Sequence, residues 1–163
     1  MKTLKYTTIV HEYSDLSELN KMDIQLVKKA KEAVEKSYSP YSNFKVGVSV
    51  LLDNDEIICG NNQENSAYPS GLCAERVAIF YANANFPDNH ILAMAIVAKG
   101  NNKFTPDPVY PCGSCRQVMN ETELRFKIPI KLILAGDRKI HILENVSQLL
   151  PQGFDKHLLN KEL

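Results

Sequence analysis

Pro69-Ser70-Gly71-Leu72-Cys73-Ala74-Glu75-Arg76 marks the point where a polar loop turns into a helical run. Cys73 and Glu75 are two positions apart and would diverge in mid-helix. They converge only if Cys73 sits at or beside the N-cap, so the spacing predicts a helix starting at Cys73 or Ala74. Further along, Pro111-Cys112-Gly113-Ser114-Cys115 repeats the pattern of a loop, a proline and cysteines at a helix start. Cys112 and Cys115 lie three apart and share one helix face. Thiols at helix N-termini lose protons easily, because the unpaired N–H groups and the helix dipole favour the thiolate. Three such thiolates make a soft metal site suited to zinc. A structural zinc takes four protein ligands, whereas three plus a nearby carboxylate leave a fourth position for water. The residues thus point to a catalytic zinc site with Glu75 as its proton carrier.

Working outward, the loop 61–72 before Cys73 is polar and longer than a connection requires, as functional loops are. Upstream of it, Phe44, Val46, Val48, Val50 and Leu52 alternate with Lys45, Gly47 and Ser49, giving a strand with one strongly apolar face. Asp53-Asn54-Asp55 is a turn and Glu56 to Gly60 returns, so a hairpin is expected. Further back, Ile24, Val27, Ala30 and Val34 share a face of a helix over about 20–36, which Ser39-Pro40 ends. Residues 1–20 show some alternation at Tyr6, Thr8 and Val10, consistent with a short peripheral strand.

Downstream, a helix reaches about Ala84 and Phe86-Pro87-Asp88-Asn89 breaks the chain. Ile91 to Ala98 is apolar on both faces, as a central buried strand is. A loop over 101–110 delivers Cys112 to a helix reaching about Leu124. Strands are expected at Ile130–Ala135 and Ile140–Ile142, with a short helical segment at Val146–Leu150. Strands alternating with helices imply an α/β fold, a layered domain with a mixed sheet of about five strands.

Composition bounds the function. A chain of 163 residues suits one domain, 1–163, and can bury ~70% of the surface its unfolded form exposes. Lys plus Arg and Asp plus Glu both number 19, so no global basic field exists to hold a phosphate backbone. Nucleic acid is therefore not the expected partner. The N-terminal residues lack the apolar core of a signal peptide, and the longest apolar run is far short of a membrane span, so no membrane association is expected. Four cysteines are too few and too oddly spaced for a disulfide framework, so a reducing cytoplasm is the expected compartment. Cys59 is the rival fourth ligand, but it lies on a strand beside Gly60 and Cys73 has no partner at knuckle spacing. Cys59 reads instead as a buried small hydrophobe.

Cys73-Ala74-Glu75-Arg76 together with Pro111-Cys112-Gly113-Ser114-Cys115-Arg116-Gln117 resembles the zinc signature of the cytidine deaminases, of the small homotetrameric three-cysteine type. Ser39-Pro40-Tyr41-Ser42-Asn43-Phe44-Lys45-Val46-Gly47, Asn62-Gln63-Glu64-Asn65 with Tyr68, and Leu149-Leu150-Pro151 agree with it in order. The resemblance covers roughly residues 22–154, leaving 1–20 as an N-terminal extension. It implies a three-layer α-β-α sandwich, one Zn2+ per chain held by Cys73, Cys112 and Cys115, and a homotetramer whose active sites are shared. By the same resemblance Asn62 and Glu64 hold the ribose hydroxyls, Phe44 stacks on the pyrimidine, and backbone groups around Ala74 read the base edge. Tyr68 and Phe154 look like the residues that complete a neighbouring subunit's pocket. Two departures stand out: the tail after Phe154 lacks the family's usual Phe-Gly-Pro, and Tyr110 stands where a small residue is more usual.

The reaction so implied is hydrolytic deamination of cytidine and deoxycytidine to uridine and deoxyuridine plus ammonia, a step of pyrimidine salvage. Zinc lowers the pKa of its water, and Glu75 moves a proton from it to the ring nitrogen and then to the departing ammonia. Three thiolates leave such a site net negative, and Arg76 with two helix N-termini offsets that charge. A deaminase of another aminopyrimidine, the blasticidin S type, shares the cysteine motifs but typically lacks the Asn-x-Glu seen at Asn62–Glu64. A non-catalytic zinc module would need the water position closed and Glu75 idle. A polynucleotide-editing deaminase would want a basic channel that the charge balance does not offer.

Overall fold

The computed structural model describes residues 1–155 and Leu159. The strand with the alternating pattern, β2 (Phe44–Leu52), sets the layers. Its Val48, Val50 and Leu52 enter one buried cluster and Leu51 enters another on the opposite face. The small residues on the other face meet a helix, α1 (Lys21–Ala33), at very short range. A Cβ added at Gly47 would stand 2.2 Å from the Ala30 carbonyl oxygen, so only glycine lets α1 lie this close. Ser49 Oγ donates to the Leu26 carbonyl at 2.7 Å, which satisfies the one hydroxyl buried in that contact. α1 is started by Asn20, whose side chain accepts from the Asp23 N–H at 2.9 Å. A 3-10 turn at Val34–Lys36 ends this helical run, three residues before the Ser39-Pro40 expected to do so.

β2 turns into β3 (Ile57–Asn61) as a hairpin, and β2 pairs on its other side with β4 (Ile91–Gly100), the central strand with both faces buried. β6 (Lys131–Ala135) runs parallel to β4, and β7 (Ile140–Leu143) pairs antiparallel with β6, so the sheet is mixed as expected. On the face away from α1 lie α2 (Ala74–Asn85) and α3 (Gly113–Phe126), whose Ala78, Ile79, Ala82 and Met119 pack on Val50, Met94, Ile96 and Leu132. The molecule is therefore the expected three-layer α-β-α sandwich.

The strand count is higher than the five expected: among the described residues the sheet has seven strands, ordered β1-β7-β6-β4-β2-β3 with β5 beside β4. The additions are β1 (His11–Tyr13), paired with β7, and β5 (Lys103–Phe104), paired with β4. Both are too short to carry a periodic pattern, and long-range pairing decides them. β1 begins directly after the alternating stretch at Tyr6–Val10, which is exposed and outside the strand. Thr8 and Ile9 are instead tied to Gln148, through its carbonyl at 2.8 Å and its side-chain oxygen at 2.7 Å. The short segment after β7 is a 3-10 turn at Val146–Gln148. Of the tail after Phe154, residues 156–158 and 160–163 lie outside the described residues.

Candidate active site

α2 begins at Ala74 with Cys73 as its N-cap, and α3 begins at Gly113 with Cys112 as its N-cap. Neither thiol is used in a capping hydrogen bond, so both are free to face each other. The start of α2 is pressed onto β3 at Gly60, where an added Cβ would stand 2.6 Å from the Ala74 carbonyl oxygen. A side chain there would push the Cys73–Glu75 turn off the sheet. The start of α3 is held by Arg116, whose Nε donates to the Pro111 carbonyl at 2.8 Å and whose Nη1 donates to the Leu149 carbonyl at 3.1 Å. Arg116 is thus a latch between the loop before α3 and the turn after β7.

The Sγ atoms of Cys73, Cys112 and Cys115 lie within 4.8 Å of one another, with Cys73–Cys112 at 3.9 Å and Cys112–Cys115 at 3.5 Å. Tetrahedral zinc with Zn–S bonds of about 2.3 Å places its sulfurs about 3.8 Å apart. The cluster therefore fits zinc in both donor type and spacing. Without the ion, hydrogen bonds from Cys115 and then Arg76 hold Cys73 down to about 5, while donating to Cys73 and burial push the Cys115 thiol up. Arg76 Nη2 stands 3.8 Å from Cys73 Sγ, the place a charge-balancing cation requires. Cys59 is not in the cluster. It is also not buried: it is exposed on β3, which among the described residues is an edge strand, and its thiol reaches the Lys29 carbonyl at 3.9 Å.

Glu75 occupies the first turn of α2 and is 5% exposed. Burial pushes its carboxyl above the usual carboxylate range. It faces a cavity of ≈ 320 Å³ that it shares with Cys73, Cys112, Phe44, Asn62 and Glu64. Val46, Ile96 and Val109 give this cavity an apolar wall. It adjoins a wider cleft of ≈ 560 Å³ whose rim carries Tyr68, Tyr41 and Arg76. Ala74 is fully buried and lines neither cavity.

Asn62 and Glu64, side by side in the sequence pattern, differ in what they have left to give. The Asn62 amide oxygen accepts from the Val46 N–H at 2.7 Å and from the Ser37 hydroxyl, and its amide nitrogen donates to the Phe44 carbonyl at 2.9 Å. Asn62 thus ties the start of β2 to the end of β3 and keeps one N–H for anything else. Glu64 accepts from the Ser42 hydroxyl at 2.5 Å and from the Tyr41 N–H at 2.9 Å, bonds that hold its carboxyl below the usual range. Ser42 as a positioner of Glu64 escaped the sequence reading, although it stands in the Tyr41-Ser42-Asn43-Phe44 stretch.

Tyr68 is 79% exposed and, among the described residues, meets only the Tyr41 ring, at 6.4 Å between centroids. Phe154 is 55% exposed and lies outside both cavities of its own chain. Its backbone is anchored by Gln117 and Asn120 of α3, at 3.0 and 3.3 Å to the carbonyl oxygen. No sequence signal pairs positions so far apart.

Residues 20–128 match the family described as the cytidine and deoxycytidylate deaminase zinc-binding region. The chain is 40% identical over 141 residues to the cytidine deaminase of Halalkalibacterium halodurans, covering 85% of this chain and 99% of that one. It is also 40% identical over 141 residues to the cytidine deaminase of Sporosarcina psychrophila, covering 85% and 96%. Among solved structures, the cytidine deaminase from Burkholderia pseudomallei superposes with a TM-score of 0.68 at 35% identity, covering 80% of this chain and 97% of that one.

Proposed function

This chain belongs to the cytidine and deoxycytidylate deaminase zinc-binding family, and on that premise we propose that Glu75, buried beside three converging thiols, is the proton carrier of a nucleoside deaminase. The enzyme is a zinc-dependent hydrolase that converts cytidine to uridine and ammonia. Cys73, Cys112 and Cys115 hold the ion, which when bound supplies the Lewis acidity that makes water a nucleophile near neutral pH. Glu75 takes a proton from the attacking water and delivers it to the ring nitrogen next to C4. Once the C4–O bond has formed, the carboxylate takes the remaining proton from that hydroxyl and hands it to the exocyclic nitrogen as the C4–N bond breaks, so water and cytidine balance against uridine and ammonia. Burial of Glu75 supports this role, because a carboxyl that is poor at staying ionised is a good carrier. Arg76 balances charge at Cys73.

Phe44 offers its face to the base, Ala74 its backbone, and Glu64 the free lone pairs of its oriented carboxylate to a ribose hydroxyl; Asn62 adds its remaining N–H. Deoxycytidine is accepted on the same footing. Residues 1–163 act as one domain in a reducing cytoplasm, where the thiols stay available, and the reaction serves pyrimidine salvage. Among the described residues no helix is long and apolar enough to cross a membrane. The test is ammonia release from a panel of cytosine nucleosides, nucleotides, free bases and blasticidin S, with zinc measured on the same sample. Turnover confined to nucleosides, at one zinc per chain, is the expected outcome; release from blasticidin S alone would replace the reading.

The unit is a homotetramer with shared pockets. Tyr68 and Phe154 support this: both are large, exposed aromatics near or beyond the rim, with little to do within their own chain. Zinc-loaded Glu75→Gln chains mixed with Tyr68→Ala chains should regain activity, in up to roughly a quarter of sites if each pocket takes Glu75 and Tyr68 from different subunits. A fully active monomer at assay concentration would exclude the shared pocket.

A further inference from the structure

Tyr110 lines the inner cavity with Phe44 and Glu75, yet it is 36% exposed and is not fixed by packing alone. Its hydroxyl stands 2.7 Å from Nδ1 of His141 on β7, and the two rings meet edge-on with centroids 5.9 Å apart. The other nitrogen of His141, Nε2, stands 2.8 Å from a carboxylate oxygen of Glu12 on β1. Glu12 and His141 are directly opposite in the β1–β7 register, so the pair is set by the sheet and not by chance rotamers. Lys139 Nζ, at 3.2 Å, steadies the same carboxylate oxygen.

The chemistry of the line fixes its direction. An ionised carboxylate only accepts, so the proton of a neutral His141 ring sits on Nε2 and Nδ1 is left bare. The bare nitrogen accepts the Tyr110 O–H, and the phenol is held against the cavity wall. A residue outside the cavity, on the N-terminal extension, thereby controls the orientation of one that lines it. Orienting partners of this kind affect function through the side chain they aim.

We propose that Tyr110 is a substrate-positioning residue of the deamination site and that Glu12, acting through His141, holds it in place. This rests on the reading of the site as a cytidine deaminase. It gives the N-terminal extension a part in catalysis.

The experiment uses the full-length, zinc-loaded protein and steady-state deamination of cytidine. Tyr110→Phe keeps the ring and removes the hydrogen bond; Glu12→Ala removes the brace from a distance. Each should raise KM roughly three- to tenfold, the loss expected for one oriented hydrogen bond, with zinc content unchanged and the effect on KM larger than on kcat. The double variant should be no worse than Tyr110→Phe alone, because both act on one line. Glu12→Gln, whose amide oxygen can still accept from Nε2–H, should restore most of the loss. If Glu12 merely fastens β1 to the sheet, its removal will lower the melting temperature and leave KM where it was, and the proposal is overturned. Should Glu12→Ala fail to fold, an unchanged KM in Tyr110→Phe overturns it alone. A wild-type protein active on cytidine with these results discards only the brace, whereas one inactive on every cytosine nucleoside discards the site reading and the brace together.

Discussion

Glu75→Gln should keep its zinc and its fold and lose roughly 10²–10⁴-fold in turnover, the range for removing a general acid–base group. The substitution is close to isosteric, so the first turn of α2 has no reason to move. It also replaces a carboxyl that burial already disfavours as an ion, so the melting temperature should hold or rise slightly. What the amide cannot do is accept a proton from water and give it up again. If Glu75 only shaped the cavity, Gln would shape it equally well. Near-normal turnover in a zinc-loaded Glu75→Gln protein would therefore end its role as proton carrier.

Cys73→Ala and Cys112→Ala should each abolish activity and strip the zinc. The two side chains come from the N-caps of different helices, 39 positions apart in sequence, so the ion ties together distant parts of the chain. Structural zinc contributes roughly 10–16 kcal/mol in small peptides, as much as the stability of a whole domain. Even a third of that, at roughly 2–4 °C per kcal/mol, would lower the melting temperature by roughly 7–20 °C. Cys59→Ala should do neither, since its thiol is exposed on β3 and outside the cluster. Zinc lost on changing Cys59 but kept on changing Cys73 would reverse the ligand assignment.

The parts of this molecule that were readable from sequence are those fixed by local geometry. The start of α2 at Ala74 follows from the two-residue offset of Cys73 and Glu75, and the pairing of Cys112 with Cys115 follows from helix periodicity. β4 declared itself by being apolar on both faces. The parts that were not readable depend on what arrives from elsewhere in the chain. The helix over Ser49 and Gly47 left no mark in the alternation, because a helix packed at van der Waals contact demands the same small residues that exposure allows. Asn62 looked like a free ligand-binding amide, yet most of it is engaged by the backbone of Phe44 and Val46. Cys59 looked buried because cysteines on strands usually are, and only the strand order places it on an edge. Arg116, Gln117 and Asn120 find partners more than thirty positions away, where no spacing rule reaches.

β1 has a consequence that concerns other molecules more than this one. The sheet would otherwise end at β7, whose outward N–H and C=O groups would form an open row able to accept a foreign strand. His11–Tyr13 fills that row from the chain's own start, and at three residues it leaves the new edge too short to template much in turn. With Glu12 committed to His141 and Lys139 beside it, the replacement edge also carries charge of both signs. The stretch that braces Tyr110 is thus also a stopper against edge-to-edge aggregation, a property that bears on how the protein survives at high concentration, whatever its catalytic rate.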